Sequence, residues 1–486
     1  MIPVLLILIP LLSGLALFAV KSDNGAKNAS LIATIATLIV SLSGLFMLDN
    51  SAGLVCNVDW MPALGSRFRV QLDGMGQIVC LLTAISFPLI FIATYNNTYR
   101  NASRFYALML LSEAGLMGVF LAKDALLFYF FWELALVPVY FLCSIWGGEK
   151  RIAVTFKFFI YTFVGSLLML VAIIFLYFQA NQSFAIESFY ALKLPNSTGS
   201  WLFWLFFIAF AIKMPIFPFH TWQPDTYEQS PTAVTMVLSG VMVKMGIFGL
   251  IRWVMPVMPM GAWAWGDTVT LLAVIGMIYA SLIAIQQDDL KRLVAYSSIA
   301  HMGLMCAAVF ATTKSGMQGV MIQMFNHGIN IIGMWIVVNA IEQKFHTRKM
   351  SELGGLAQKA PGLAILLVVV ALANIALPLT NGFIGEFMMF NGILSSTATK
   401  YNVVFTAVSG LSIILAAVYT LNMIQKVFYG NTTTLTAVST DISLNVKVAL
   451  LIIVVLIFAG GVFPKPMLSV TNDVADAILS RMNVRY

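Results

Sequence analysis

Charge is scarce in this sequence: Asp, Glu, Lys and Arg make up 10% of its 486 residues, against roughly 25% in an ordinary soluble domain. A soluble globular fold is excluded on that ground. Cysteine is scarcer still. The four present (Cys56, Cys80, Cys143, Cys306) form no C-x-x-C, and three of them fall in apolar runs. That argues against a disulfide framework, a metal centre or an iron–sulfur cluster. The stretch G-M-G-Q-I-V at 74–79 lacks the third glycine of a dinucleotide fingerprint, and no phosphate-binding loop pattern occurs. The net charge of +7 is spread singly through loops, which is no nucleic-acid face. The alternating pattern of an outer-membrane barrel is missing too, so any membrane spans are helices.

What the chain has in quantity is apolar length. Hydrophobic residues are 60% of the whole, in runs of roughly 17–25 residues that can each cross a hydrocarbon core ~30 Å thick. The expected spans are 2–20, 31–48, 75–95, 105–121, 124–146, 158–178, 201–216, 231–254, 268–286, 293–312, 317–341, 362–390, 401–425 and 446–463. The fold expected is therefore all-α and integral to a membrane, with about fourteen transmembrane helices. Residues 1–20 lack a charged start and a small-residue cleavage site, and read as the first span. With the N-terminus outside, inner loops hold 15 Lys and Arg and outer segments 10, three of these in the tail (Lys465, Arg481, Arg485). The excess of positive charge on cytoplasmic loops then places both termini outside an inner membrane. Lys213 and Lys244 are the two left over.

Two spans are interrupted. K-M-P-I-F-P-F-H-T-W-Q-P-D-T-Y-E-Q-S-P carries Pro215, Pro218, Pro224 and Pro231, and proline removes an amide donor and clashes with the preceding turn. A-N-I-A-L-P-L-T-N-G-F-I-G-E-F carries Pro378 before Asn381-Gly382. Simple proline kinks are the plainer alternative. Breaks in matching places of two halves, each with charge beside it, favour two inverted five-helix repeats, each containing a broken helix. The units expected are 105–254 and 268–425, after a three-helix segment 1–104 and before a helix and tail 426–486.

A charge at the centre of a membrane helix costs ~2.5–3.5 kcal/mol on insertion scales. Glu133 lies nine residues past Asp124, ~14 Å into the membrane. Lys213 sits two residues before Pro215, where a break leaves free carbonyls and room for water. Lys244 is eight residues before Arg252, and Glu386 follows the second break. An ion pair that only fixes packing is the alternative for each. Four such residues, two beside helix breaks, favour a proton relay. His301 and His327 lie inside spans and are suited to passing protons between their two ring nitrogens. His220 and Asp225, beyond the first break, could orient backbone or carry protons. Glu113 is a further candidate with no obvious partner. Asp288 and Asp289 beside Lys291 and Arg292 read as a solvated loop cluster. In a relay, a lysine held protonated by a nearby carboxylate releases its proton when the two separate.

The stretch Q-Q-D-D-L-K-R-L-V-A-Y-S-S-I-A-H-M-G (286–303), with H-T-W-Q-P-D (220–225) and the F-W-E ending at Glu133, resembles the antiporter-like subunits of respiratory complex I. That family also includes subunits of multisubunit cation/proton antiporters and membrane-bound hydrogenases. A glutamate in G-F-I-G-E-F, where chain N and many antiporter subunits place lysine, together with V-K-M-G-I-F-G-L-I-R, looks like the chain M (chain 4) branch. The resemblance implies fourteen helices in inverted repeats, and a relay of Glu133, Lys213, Lys244 and Glu386. It also implies no cofactor or metal in this chain. Flavin, iron–sulfur clusters and quinone belong to partner subunits of a bacterial inner-membrane complex, and chain L-like and chain N-like homologues flank this chain. One departure is Y-E-Q-S-P (227–231), where relatives more often carry H-x-E-A-P, so no histidine role falls at Tyr227.

Overall fold

Within lipid every backbone amide and carbonyl must be paired inside the chain, which leaves apolar runs of this length one outcome, the helix. The computed structural model describes residues 1–46, 51–437 and 441–482; Arg485 and the last residues of the 31–48 span lie outside them. The helices are α1 (Ile2–Leu17), α2 (Asp23–Leu45), α3 (Gly74–Ala93), α4 (Ala102–Leu121), α5 (Ala125–Trp146), α6 (Arg151–Gln179), α7 (Ile186–Tyr190), α8 (Asn196–Lys213) and α9 (Trp222–Gln229). They continue with α10 (Thr232–Val257), α11 (Pro259–Gln286), α12 (Leu290–Phe310), α13 (Lys314–Phe345), α14 (Pro361–Asn374), α15 (Asn381–Leu394), α16 (Asn402–Phe428), α17 (Leu444–Val462) and α18 (Lys465–Met482). Within the described residues every expected span falls on helix, the 362–390 span being divided between α14 and α15. Among the described residues, eleven helices are long and apolar enough to cross a membrane, and α1 and α14 are shorter apolar ones.

Both interruptions are present, and at each a side chain donates to a backbone carbonyl beside the break. After Lys213 the chain turns through 214–221, and the Trp222 indole donates to the Ile212 carbonyl at 2.9 Å. Between α14 and α15, Ala376 and Leu379 take positive φ (57° and 75°) around Pro378. There Asn330 Nδ2 donates to the Ala373 carbonyl at 3.1 Å, and Asn326 Nδ2 to the Asn381 carbonyl at 2.7 Å. The asparagines of α13 are thus the lining of the break beside them.

The centre of the bundle is α10 against α13, each buried along its apolar stretch, while α2, α6, α16 and α17 present most of their surface outward. Glycine allows the central approach: a Cβ on Gly328 would lie 2.9 Å from the Gly240 carbonyl. Helix α10 is not regular. Two π-helical stretches, Leu238–Met242 and Leu250–Val254, bracket Lys244–Gly249. Insertions of that kind are frequent at functional sites.

Two elements were not expected. A hairpin, β1 (Val55–Met61) and β2 (Ser66–Gln71), pairs Val55 with Gln71 and bulges between Asp59 and Met61. It docks on Asp124, whose carboxylate accepts from Ser66 Oγ (2.9 Å) and the Arg67 amide (3.1 Å) while also capping α5. The tail after the last span forms a helix. As α18 it buries Thr471, Ala475, Ile478 and Met482 and lies across the starts of α3 and α13. Asp476 pairs with Lys314 at 2.7 Å, and Gln318 donates to the Leu468 carbonyl at 3.3 Å.

Candidate functional site

Lys244 is fully buried. Its Nζ donates to the Ser239 carbonyl at 2.8 Å, within the π-helical stretch, and meets His327 Nδ1 at 2.9 Å. His327 on α13 and His301 on α12 stand with ring centroids 5.1 Å apart. His301 Nδ1 lies 3.2 Å from Glu386 Oε1 on α15. Four of the residues singled out in the sequence thus form one buried line, Lys244–His327–His301–Glu386, contributed by four helices. Both Nδ1 atoms are engaged, and both Nε2 atoms have no protein partner. Which nitrogen carries the hydrogen follows from the partners and is not fixed by the heavy atoms. A cavity of about 20 Å³ adjoins His301 and Glu386, lined also by Ser412 and Tyr419, and is large enough for one water.

Lys213 is buried at the end of α8. Its Nζ has no hydrogen-bond partner and lies 5.6 Å from the centroid of the Trp132 ring. Glu133, the next residue, is half-buried, and among the described residues no ion pair joins it to Lys213. The Tyr129 hydroxyl lies beside Glu133 and Ser166. The two lysines belong to touching segments, for a Cβ on Gly246 would sit 2.7 Å from Met214. Nearby, Gln223, Tyr227 and Ser239 are buried with side-chain polar atoms lacking close partners, and the Tyr227 hydroxyl faces the other two. Sequence reasoning passed over all three, since neutral polar residues in apolar runs are common and only their convergence is informative.

The remaining candidates stand apart from the line. Glu113 is fully buried on α4, with neither carboxylate oxygen hydrogen-bonded. His220 packs with Phe217 and Tyr279, centroids 5.8 and 5.3 Å away. Asp225 binds Lys157 at 2.9 Å and Arg292 at 3.2 Å. Burial pushes its carboxyl up, but Lys157 and Arg292 outweigh this and hold it below the usual range.

The solvated-cluster reading of residues 288–292 is corrected. Lys291 is buried and pairs with Glu342 at 2.9 Å, and Arg292 holds Glu228 at 2.8 Å as well as Asp225. Arg348 joins Asp289 (2.5 Å) and Glu228 (3.0 Å). The ends of α9 and α13 bring the opposite charges, which no local reading of the loop contains. A second cluster was missed altogether: Asp73 receives Lys123 and both terminal nitrogens of Arg252, each at 2.7 Å. Among the described residues no group of three or more His, Cys, Asp or Glu is placed to hold a metal ion.

Residues 122–412, more than half of the chain and including all of this line, match the family described as NADH:quinone oxidoreductase/Mrp antiporter, transmembrane. The chain belongs to that family. NADH-quinone oxidoreductase subunit M of Rickettsia prowazekii (strain Madrid E) is 36% identical over 437 residues, 88% of each chain. F(420)H(2) dehydrogenase subunit M of Methanosarcina mazei is 33% identical over 499 residues, 99% of each. A chain of respiratory complex I from Thermus thermophilus superimposes with a TM-score of 0.92 at 27% identity, covering 99% of this chain and 100% of that one. Both curated relatives are subunit M proteins, in agreement with the branch read from Glu386 and the Lys244 segment.

Proposed function

We propose that this chain is a proton-translocating membrane subunit of an NADH:quinone oxidoreductase of the complex I type, moving protons through Lys213, Lys244, His327, His301 and Glu386. The observation that carries the reading is the line from Lys244 to Glu386, with contacts of 2.9 Å and 3.2 Å at its ends. A structural ion pair needs one cation and one carboxylate; it does not need two imidazoles between them. Glu133 sets the charge of Lys213 from beside it. When quinone reduction elsewhere moves Glu133 away, Lys213 loses its counter-charge and the proton on that side is driven inward. The chain itself carries no redox group; flavin, iron–sulfur clusters and quinone belong to other subunits.

In this reading 105–254 and 268–425 are the inverted units, with α8 and α14–α15 as their broken helices. The membrane is a bacterial inner membrane, both termini lie outside, and chain L-like and chain N-like homologues flank this subunit. A second reading, a cation/proton antiporter subunit, is favoured only by the breadth of the family. In the assembled complex, Lys244→Ala and Glu133→Gln should each abolish proton pumping and strongly lower coupled quinone reduction while leaving assembly intact. Normal pumping by either variant would sink the relay, and co-purification with antiporter subunits and no NADH-oxidising arm would favour the second reading.

A further inference from the structure

The side of the bundle that carries Arg100, Lys291 and Arg348 has an open polar cavity of about 470 Å³ between the α3–α4 loop and the ends of α9, α10 and α13. Glu342 is in its lining. One carboxylate oxygen accepts from Thr232 Oγ1 at 3.0 Å and from Lys291 Nζ at 2.9 Å. Thr232 opens α10, and hydroxyls recur on that helix at Thr235 and Ser239. Spacings of three and four keep them on one face. Thr235 Oγ1 is held only by long bonds to carbonyls, 3.3 Å to Pro231 and 3.4 Å to Tyr227. Ser239 Oγ and the Tyr227 hydroxyl are buried side by side without a close partner. The Trp335 indole N–H, also unpartnered, belongs to a ring 5.8 Å from that of Tyr227. The series ends at Ser239, whose carbonyl holds Lys244 Nζ at 2.8 Å. Helical rise puts Thr232 and Lys244 ~18 Å apart, with hydroxyl-bearing residues ~4.5 and ~6 Å apart along the way. Gaps of that size are closed by a rotating hydroxyl or one water.

We propose that Glu342 collects protons from this cavity and that Thr232, Thr235 and Ser239, with Tyr227, deliver them to Lys244. This rests on the relay proposed above and adds its point of uptake. A hydronium ion in the cavity gives its proton to the Glu342 carboxylate. The carboxylic acid then donates to the Thr232 oxygen, each hydroxyl passes its own proton onward as it receives one, and the Lys244 amine takes the last to become ammonium. Glu342 is left as carboxylate, and no hydroxyl ever holds net charge. Lys291 and Arg348, beside the carboxylate at 2.9 and 3.5 Å, keep its proton from dwelling there, so Glu342 is a brief acceptor and not a store.

The test uses the whole complex in inverted membrane vesicles, reading NADH-driven quinone reduction and proton uptake together. Thr235→Val with Ser239→Ala leaves the ionic cluster untouched and should cost most of the coupled turnover. Glu342→Gln should do likewise, and added formate, a small acid able to enter the cavity, should restore it. A purely structural role for Glu342 predicts no such rescue. Wild-type pumping by the double hydroxyl variant overturns the route, as does a Glu342→Gln defect that formate leaves unchanged. Lys244→Ala run in parallel separates the two failures. If Lys244→Ala still pumps, the relay itself is wrong. If only the hydroxyl variant pumps, the relay stands and the uptake route falls.

Discussion

Asp73→Asn tests a buried ionic cluster outside the line. One carboxylate, 15% exposed, holds Lys123 (9%) and Arg252 (7%) through three contacts of 2.7 Å. Removing one partner of a buried pair costs about 3–5 kcal/mol, because the other charge is left desolvated and unpaired. Here two cations lose the same partner, so the upper half of that range applies, roughly a thousandfold in the folded-to-unfolded ratio at 1.4 kcal/mol per tenfold. Asn keeps the acceptor that caps α3 through the Gly76 amide at 3.0 Å, so the cap's contribution of about 1 kcal/mol stays. Asp73→Ala should therefore be the worse variant. Burial alone would raise the Asp73 carboxyl, but Arg252 and Lys123 hold it far below the usual range. A depressed carboxyl stabilises fully above its unfolded value, near 4, and that stability is lost as pH falls toward the folded value. The gap between wild type and Asp73→Asn should thus be flat from pH 5 to 8 and narrow only below about 4. Thermal inactivation rates of the detergent-solubilised complex measure it, since large membrane assemblies unfold irreversibly. Replacing all three residues by Leu, Met and Met should recover most of the loss. A change in Asp73→Asn worth under ~1 kcal/mol, the ordinary figure for an exposed pair, would refute the reasoning.

Gly115→Ala places a methyl 2.4 Å from the Ala135 amide nitrogen of α5. Overpacking of that kind costs about 1–3 kcal/mol, and it shifts the helix turn that carries Glu133, so stability and coupled turnover should fall together; Gly199→Ala, with no atom within 4 Å, should be silent in both assays. His301→Leu fills its site but breaks the line before Glu386, and should stop pumping in a complex that assembles with normal thermal stability; sustained pumping would remove the imidazole pair from the path.

The spans were legible because the bilayer admits so few backbone solutions, and the two breaks because proline has no amide to offer. Lys213 and Lys244 stood out as the cations no loop could claim. What a sequence of helices does not contain is which faces meet. Lys244 and His327 could be placed inside their spans, yet their meeting depends on Gly240 and Gly328 letting α10 reach α13, a fact of packing. The 288–292 charges misled for the same reason: their partners Asp225, Glu228 and Glu342 arrive from elements far along the chain. The hairpin at 55–71 and the amphipathic α18 had local signals, alternation around Gly65 and a helical apolar stripe from Thr471 to Met482. Both were overshadowed by the long apolar runs beside them.

The pairing of both histidines through Nδ1, with both Nε2 atoms free, sets a limit on how often the proposed line can be used. A neutral imidazole accepts on one nitrogen and donates from the other, so a proton that enters at Nδ1 of His327 leaves as a different proton from Nε2. Passage along the line therefore reverses the polarity of each ring it crosses. A second proton cannot follow in the same direction until the hydrogens have been put back on their former nitrogens. The line therefore passes one proton for each reset of its two imidazoles, and the water-sized cavity beside His301 bears on how fast that reset can be.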